Sequence, residues 1–238
     1  MKWYIPREHG AWAMLIVPFW SAAFAAGLSI HHLLFFTGIF AVYFAQAPLL
    51  TWVKNPSIND VWPSFILYLS TGLLFTVPYL VMDPALFVTG LLILPFFLMN
   101  ILFAKLKKER WFINDLCAIA GLSGLGFLAW QLASLQVTHN AFLIVLFNFL
   151  FFTGSVFHVK SLIREKRNKR FIVTGKVYHA LLIGFFSVYA SWPLIAAGLL
   201  TFLKTMLLNE KILSRPGKIG VVEIVNSVVF FIAMALHF

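Results

Sequence analysis

A chain of 238 residues that is 61% hydrophobic and only 11% charged is not an ordinary soluble domain, in which roughly a quarter of residues are charged. Its mean hydropathy of +0.92, its 27 phenylalanines and its 8 tryptophans instead predict a polytopic membrane protein with lipid-facing aromatic surfaces. A single cysteine excludes an intramolecular disulfide and a metal site built from cysteines, and we expect no disulfide-linked partner.

Nine apolar runs approach the ~20 residues that a membrane-spanning helix needs. They cover residues 10–29, 33–53, 62–82, 85–104, 114–134, 140–160, 177–192, 193–208 and 219–237. The seventh and eighth runs are short, and Pro193 separates them because proline cannot continue the preceding helix. The runs leave no room for a soluble domain. We therefore predict one transmembrane domain over residues 1–238, an all-α bundle of about nine spans.

The basic residues are distributed on one side of this predicted bundle. When the loops are numbered alternately, all 18 lysines and arginines fall at the N-terminus and in every second loop. The opposite loops carry only Asp83 as a charged residue, together with four histidines, His31, His32, His139 and His237. The positive-inside rule then predicts a cytoplasmic N-terminus and an outside C-terminus. The net charge of +10 thus reflects membrane topology, and we expect no nucleic-acid partner.

The segment Pro6-Arg7-Glu8-His9-Gly10-Ala11-Trp12 places a base, an acid and an imidazole in three consecutive residues before the first apolar run. Proline suits the first turn of a helix, and Glu8 lies where the helix dipole favours an anion. One interpretation is an interfacial anchor, and the other is one wall of a site at the membrane surface. An anchor needs only the arginine and Trp12, so Glu8 and His9 favour a site.

Polar side chains also gather at the predicted cytoplasmic ends of the other helices. They are Asp60 before the third run, Asp115 in the fifth, His158, Lys160 and Arg164 at the end of the sixth, Lys176 and His179 in the seventh, and Glu223 in the ninth. Polar groups in a membrane tend to face the bundle interior, so these residues are candidates for a site. An acid such as Glu223 inside the apolar boundary needs a partner, which Lys204 or Arg7 could supply.

These residues have structural interpretations as well. Asn114 and Asp115 could cap the N-terminus of a helix, and His158 and His179 could form hydrogen bonds at the membrane interface. Lys204 could extend its ammonium group to the membrane surface. The basic segment 160–170 suits a topology determinant that also contacts anionic lipid head groups. We nevertheless expect Lys160 and Arg164 to share a helical face with His158 and to point toward phosphate in the head-group layer.

The opening segment 6–12 and the later run Val159-Lys160-Ser161-Leu162-Ile163-Arg164-Glu165 resemble the YwiC-like family of bacterial integral membrane proteins over essentially the whole chain. That resemblance implies a multi-pass protein of the bacterial inner membrane. The architecture is also similar to the UbiA-type intramembrane prenyltransferases, which bind a prenyl diphosphate through Mg²⁺ held by aspartate-rich motifs. This chain departs from that pattern, because no second aspartate follows Asp60 or Asp115 three or four residues later.

We expect an intramembrane transferase that acts on a phosphorylated lipid or amphiphile at the cytoplasmic side, among membrane lipids as its other partners. Glu8, His9 and His158 are the candidate catalytic residues, because imidazole titrates near physiological pH and suits general acid–base work. The candidate substrate-binding residues are Arg7, Lys160, Arg164, His179 and Glu223, of which the cationic side chains suit phosphate.

The similarity to the UbiA-type enzymes further implies Mg²⁺ at Asp60 and Asp115 if a metal takes part. Two other functions remain open. The chain could be a transporter or binding protein for a small anion. It could also be an accessory subunit of a membrane complex, docked through its charged opening segment.

Overall fold

The computed structural model of the chain describes residues 3–6, 9–134, 136–208, 212–213 and 215–238, and of His9 it describes the backbone alone. Within these residues the chain forms nine α-helices and no β-strand, which confirms the predicted all-α bundle. In chain order they are α1 His9–Ala26, α2 Ile30–Lys54, α3 Trp62–Met82, α4 Pro84–Lys105, α5 Phe112–Ala133, α6 His139–Ile163, α7 Lys169–Tyr189, α8 Trp192–Leu207 and α9 Pro216–His237.

Seven of the described helices are long and apolar enough to cross a membrane, and α1 and α8 are apolar but shorter. The fold is thus that of a multi-pass membrane protein. At ~1.5 Å per residue, the 16 residues of α8 extend about 24 Å, which is less than the ~30 Å of a hydrocarbon core. One end of α8 therefore stops short of the neighbouring helix ends.

Helix α7 begins at Lys169, eight residues before the start of the apolar run that predicted it. The side chain of Asn168 accepts a hydrogen bond from the Phe171 backbone N–H at 3.1 Å and caps the helix. The basic residues of the first two turns lower the local hydropathy, so an apolar run misses this part of the helix. Helix α5 also begins early, at Phe112, which places Asp115 in its first turn and gives the N-cap position to Trp111.

Helix α6 lies at the centre of the bundle. It packs against α1, α5, α7 and α9, and of the described spans it buries the largest share of its residues. Helix α8 packs against α7 and α9, and α9 packs back onto α1. The helices α6 to α9 therefore enclose an interior space, and the residues that they turn toward it decide what chemistry the bundle can carry.

One end of the bundle joins the segment before α1 to the loops that follow α2 and α4. Tyr4 donates a hydrogen bond to Asp60 at 2.7 Å, and the Lys160 ammonium donates to the Arg110 carbonyl at 2.9 Å. The described lysines and arginines lie at this end, which we call the basic end.

The opposite end joins the loops that carry almost no charge. The His32 Nε2 atom lies 2.9 Å from the Ala129 carbonyl oxygen, and the Ser191 backbone N–H donates to His237 Nδ1 at 3.2 Å. The described loops that the charge pattern assigned to one side therefore lie at one end of the bundle, and those assigned to the other side lie at the opposite end.

Candidate functional site at the basic end

Glu223 lies eight residues into α9 and is buried among α6, α7 and α8. Its Oε1 atom accepts a hydrogen bond from the Lys204 ammonium of α8 at 2.7 Å, and its Oε2 atom accepts one from the Ser155 hydroxyl of α6. The His158 Nε2 atom of α6 lies 3.9 Å from Oε1. The sequence prediction that Lys204 could partner this acid is therefore confirmed.

The two histidines near Glu223 are almost completely enclosed. His158 and His179 are each 1% exposed, and neither ring nitrogen of His158 has a hydrogen-bond partner among the described residues. Lys204, His158 and Glu223 lie within electrostatic range of the His179 ring. We call Ser155, His158, His179, Lys204 and Glu223 the polar cluster.

A glycine makes room for His179 at this depth. A Cβ atom at Gly154 of α6 would lie 2.7 Å from the Cε1 atom of the His179 ring, closer than side chains approach one another. Because Gly154 has no side chain, α7 can bring the imidazole against the α6 backbone, one residue before Ser155. His179 is the eleventh residue of α7, so the polar cluster extends to about the middle of that helix.

The charges of the polar cluster compensate one another. An isolated ion in a membrane interior is expensive, but a pair that is close and hydrogen-bonded offsets most of that penalty. The Lys204 and Glu223 side chains are each 7% exposed and form such a pair. One turn further, Thr201 donates to the Asn226 Oδ1 atom at 3.0 Å, and Asn226 Nδ2 has no partner among the described residues.

A cavity of about 220 Å³ opens at the basic end between α6, α7 and the end of α8. Its polar lining consists of His158, Ser161, Lys166, Lys176 and Thr205, and its apolar lining includes Phe157, Leu162, Ile172, Met206 and Leu208. The last turn of α8 and Leu208 form one side of the cavity. We call it the basic cavity. His158 belongs both to its wall and to the polar cluster.

An aromatic layer closes the polar cluster on the side away from the basic end. It consists of Phe147, Phe151, Phe186 and Phe230, all completely buried. The rings of Phe151 and Phe230 are stacked with centroids 3.9 Å apart, and the Phe186 ring lies 6.5 Å from Phe230 in nearly the same orientation. Phe151 lies one helical turn beyond Ser155, so the layer directly follows the polar cluster.

The structure brings three of the predicted site residues together, namely His158, His179 and Glu223. Lys160 instead forms an ion pair with Asp115 of α5. The expectation that Lys160 shares a helical face with His158 is wrong, because residues two apart in an α-helix point to different sides. Arg164 follows the end of α6 as an exposed cap and does not line the basic cavity.

The carboxylates predicted for Mg²⁺ have separate partners. Asp60 accepts the hydrogen bond of Tyr4, and Asp115 is neutralised by Lys160. In the part of the chain that the structure describes, no three His, Cys, Asp or Glu side chains are grouped to hold a metal ion. The metal role of Asp60 and Asp115 stays a prediction.

The opening segment contributes less to the description of the site. Arg7 and Glu8, predicted for substrate binding and catalysis, lie outside the described residues, as does the side chain of His9. The structure adds residues that the sequence analysis did not assign to a site, chiefly Ser155 and Thr205. A signal for Ser155 existed, because it precedes His158 by three residues on one helical face.

The comparisons with known proteins agree with this architecture. Residues 5–130 match the family model described as YwiC-like protein. The chain is 33% identical to the Bacillus subtilis protein described as "Uncharacterized protein YwiC" over 240 residues, which cover 99% of this chain and 98% of that relative. It is also 28% identical to an uncharacterized protein of Haemophilus influenzae over 98% of both chains.

No solved structure matches the chain. The family model includes the segment 6–12, and the two full-length alignments extend the similarity through α6 to α9, where the polar cluster lies. The chain therefore belongs to the YwiC-like protein family.

Proposed function

We propose that the chain is an intramembrane transferase that binds the phosphorylated head group of a lipid or amphiphile in the basic cavity. The observation that carries the proposal is the position of His158, a buried imidazole without a hydrogen-bond partner in the described residues, in the wall of a cavity that two lysines also line. Lys166 and Lys176 supply the positive charge that phosphate oxygens require. Lys176 has no ion-pair partner among the described residues.

The proposed chemistry uses His158 as the general base. His158 takes the proton of an acceptor hydroxyl, and the acceptor oxygen forms the new bond to the transferred group. The bond to the leaving phosphate breaks, and its electron pair stays on the phosphate between Lys166 and Lys176. The carboxylate of Glu223, 3.9 Å from the imidazole, stabilises the positive charge that His158 acquires.

We place the basic end in the cytoplasm and the chain in the bacterial inner membrane. The distribution of lysine and arginine supports this orientation through the positive-inside rule. The bacterial origin of the two full-length relatives supports the location. In this arrangement a phosphorylated amphiphile enters the basic cavity from the cytoplasmic leaflet.

A transporter for a small anion is the second candidate. The buried pair of Lys204 and Glu223 favours it, because charges inside a membrane bundle commonly mark ion pathways. In that case the aromatic layer is the closed gate of the pathway. Uptake of radiolabelled sulfate into sealed proteoliposomes distinguishes this candidate from a transferase, which produces no vectorial flux.

Thermal unfolding of the purified protein in detergent tests the proposed site. We expect geranyl diphosphate and decyl phosphate to raise the midpoint, since a ligand at 100 times its Kd stabilises a protein by about 2.7 kcal/mol. Lys176→Met should lose this shift. Lys218→Met, which removes an exposed charge from the first turn of α9 at the same end, should keep it.

The chemical step has a separate readout. The wild type in proteoliposomes of bacterial lipid should release diphosphate from geranyl diphosphate, and His158→Gln should not. The proposal fails if neither amphiphile shifts the unfolding midpoint of the wild type, or if His158→Gln releases diphosphate at the wild-type rate.

A further inference from the structure

A groove of about 490 Å³ runs along the surface of the bundle between α1 and α9. Both helices begin at the basic end, so the groove lies along the axis of the bundle. Its described lining shares no residue with the polar cluster or the basic cavity. Ile16 of α1 and Ile224 and Val228 of α9 line it and are exposed, so the groove opens toward the membrane lipid.

The dimensions of the groove decide what it can hold. Twelve residues of α1 separate Trp12 from Phe24 in its wall, which is about 18 Å at ~1.5 Å per residue and close to the ~15 Å of one leaflet of a hydrocarbon core. Its volume spread over that length gives a cross-section of about 27 Å², whereas an α-helix ~10–12 Å in diameter occupies roughly 80–110 Å². A single hydrocarbon chain fits this width, since carbon atoms in contact lie about 4 Å apart, and a partner helix does not.

The two ends of the groove differ. Phe24 and Phe231 meet edge to face with ring centroids 5.8 Å apart and close the groove toward the opposite end of the bundle. Gly10 precedes Ala13 by three residues and Gly220 precedes Ile224 by four, so both glycines continue the faces that line the groove toward the basic end. A Cβ atom at either glycine would meet no described atom within 4 Å. The groove is therefore open toward the basic end.

The lining is aromatic and aliphatic, which suits hydrocarbon. The one hydroxyl group in the described lining belongs to Ser227, and it already donates to the Glu223 backbone carbonyl at 2.8 Å. The open end of the groove lies at the basic end, where the described lysines and arginines are. Positive charge at a membrane surface attracts anionic lipid head groups.

We propose that the groove between α1 and α9 binds one hydrocarbon chain of an anionic membrane lipid from the leaflet at the basic end. The terminal methyl group lies against Phe24 and Phe231, and the head group lies near the first residues of α1 and α9. The site is separate from the basic cavity and does not depend on the proposed transferase activity.

Native mass spectrometry of the delipidated full chain, titrated with dioleoyl phosphatidylglycerol, tests the site by counting the lipids that stay bound. We expect one retained lipid per chain and several-fold weaker retention of dioleoyl phosphatidylcholine, which has the same chains and no net charge. Val228→Trp places an indole in the groove and should weaken retention of phosphatidylglycerol at least tenfold.

Val225→Trp is the matched control, because Val225 is a valine of α9 with similar exposure, 57% against 51% for Val228, and lies outside the described lining. It should retain the lipid as the wild type does. Ala13→Leu narrows the groove from the α1 side, and its loss of retention keeps the test valid if Val228→Trp does not fold. Lys176→Met alters the basic cavity and should retain the lipid in the groove.

The contrary results are distinct. Equal retention by Val228→Trp and Val225→Trp overturns the groove as the site, and equal retention of the two lipids overturns the anionic head group. Loss of the lipid in Lys176→Met places it in the basic cavity instead. A wild type that is dimeric and becomes monomeric in Val228→Trp assigns the groove to a second copy of the chain and overturns the proposal.

Discussion

The buried charges that the structure describes are tolerated because each one has a specific partner on another helix. Glu223 of α9 receives hydrogen bonds from Lys204 of α8 and Ser155 of α6, and Lys160 of α6 pairs with Asp115 of α5. These contacts connect α9 to α8 and α6, and α6 to α5. The same residues therefore stabilise the bundle and define its polar interior.

The energetics of the Lys204–Glu223 pair are open to a double-mutant test. Lys204→Met leaves Glu223 buried without a cation, and we expect a loss of about 3 kcal/mol in the free energy of unfolding. The combination of Lys204→Met with Glu223→Gln should recover most of that loss, because no unpaired charge remains. Unfolding by sodium dodecyl sulfate, followed by circular dichroism, measures both. Simply additive losses would contradict the assigned pairing.

Individual residues were predictable where hydropathy alone decides their position. Glu223 inside an apolar run had to be buried and paired, and it is. His32 was assigned to a loop on the opposite side, yet it is completely buried, with Nδ1 accepting from the Ser29 backbone N–H at 3.1 Å and Nε2 2.9 Å from the Ala129 carbonyl. A contact across 97 residues depends on tertiary packing, which the local sequence does not contain.

At the scale of the helices, glycines decide how closely neighbours approach. A Cβ atom at Gly38 of α2 would lie 3.0 Å from the Gly72 carbonyl oxygen of α3, and one at Gly72 would lie 3.0 Å from the Val42 backbone nitrogen. The two backbones thus touch at this crossing. Small residues allow such packing in membranes, where dispersion contacts replace the hydrophobic drive between helices.

Gly72→Ala tests that contact. The new methyl group meets the Val42 backbone, so we expect a loss of about 1–3 kcal/mol in stability from overpacking. Gly90→Ala in α4 is the matched control, because nothing lies within 4 Å of its added Cβ atom. It should leave the unfolding midpoint unchanged or raise it. Equal destabilisation by both substitutions would show that the α2–α3 contact is looser than described.

Helix limits followed from sequence only where a helix coincides with its apolar run. The predicted span 62–82 coincides with α3, Trp62–Met82, whereas the run from 177 missed the first eight residues of α7. Those residues are helical because Asn168 caps them, and they are basic because they leave the apolar layer. Hydropathy therefore identifies the apolar part of a helix, whereas the cap determines the residue at which the helix begins.

At the scale of the whole molecule, charge separates the two ends of the bundle, and contacts between the described loops agree with that separation. The candidate site was predicted in outline, since His158, His179 and Glu223 do converge. Lys160 and Arg164 were assigned to the same site through sequence proximity, but the turn of the helix directs them elsewhere. Side chains of one α-helix point to the same side only when their residues are three or four positions apart.

The proposed orientation makes a simple topological prediction. A reporter that is active only in the cytoplasm should be silent when fused after Phe238, because α9 runs from the basic end to the opposite end. The same reporter fused before Met1 should be active, since the segment before α1 lies at the basic end. Activity at both termini would contradict this orientation and the proposed cytoplasmic entry to the basic cavity.

The aromatic layer affects how a membrane potential is distributed along the bundle. The basic cavity and the polar cluster lie on one side of four buried phenylalanines that offer no polar group to a mobile charge. A membrane potential therefore falls across the enclosed polar cluster and this layer, and little of it falls across the open basic cavity. One elementary charge that crosses the full potential changes its free energy by about 2.3 kcal/mol per 100 mV. An anion that enters the basic cavity from the basic end crosses little of that drop, so the cavity is shielded from membrane voltage.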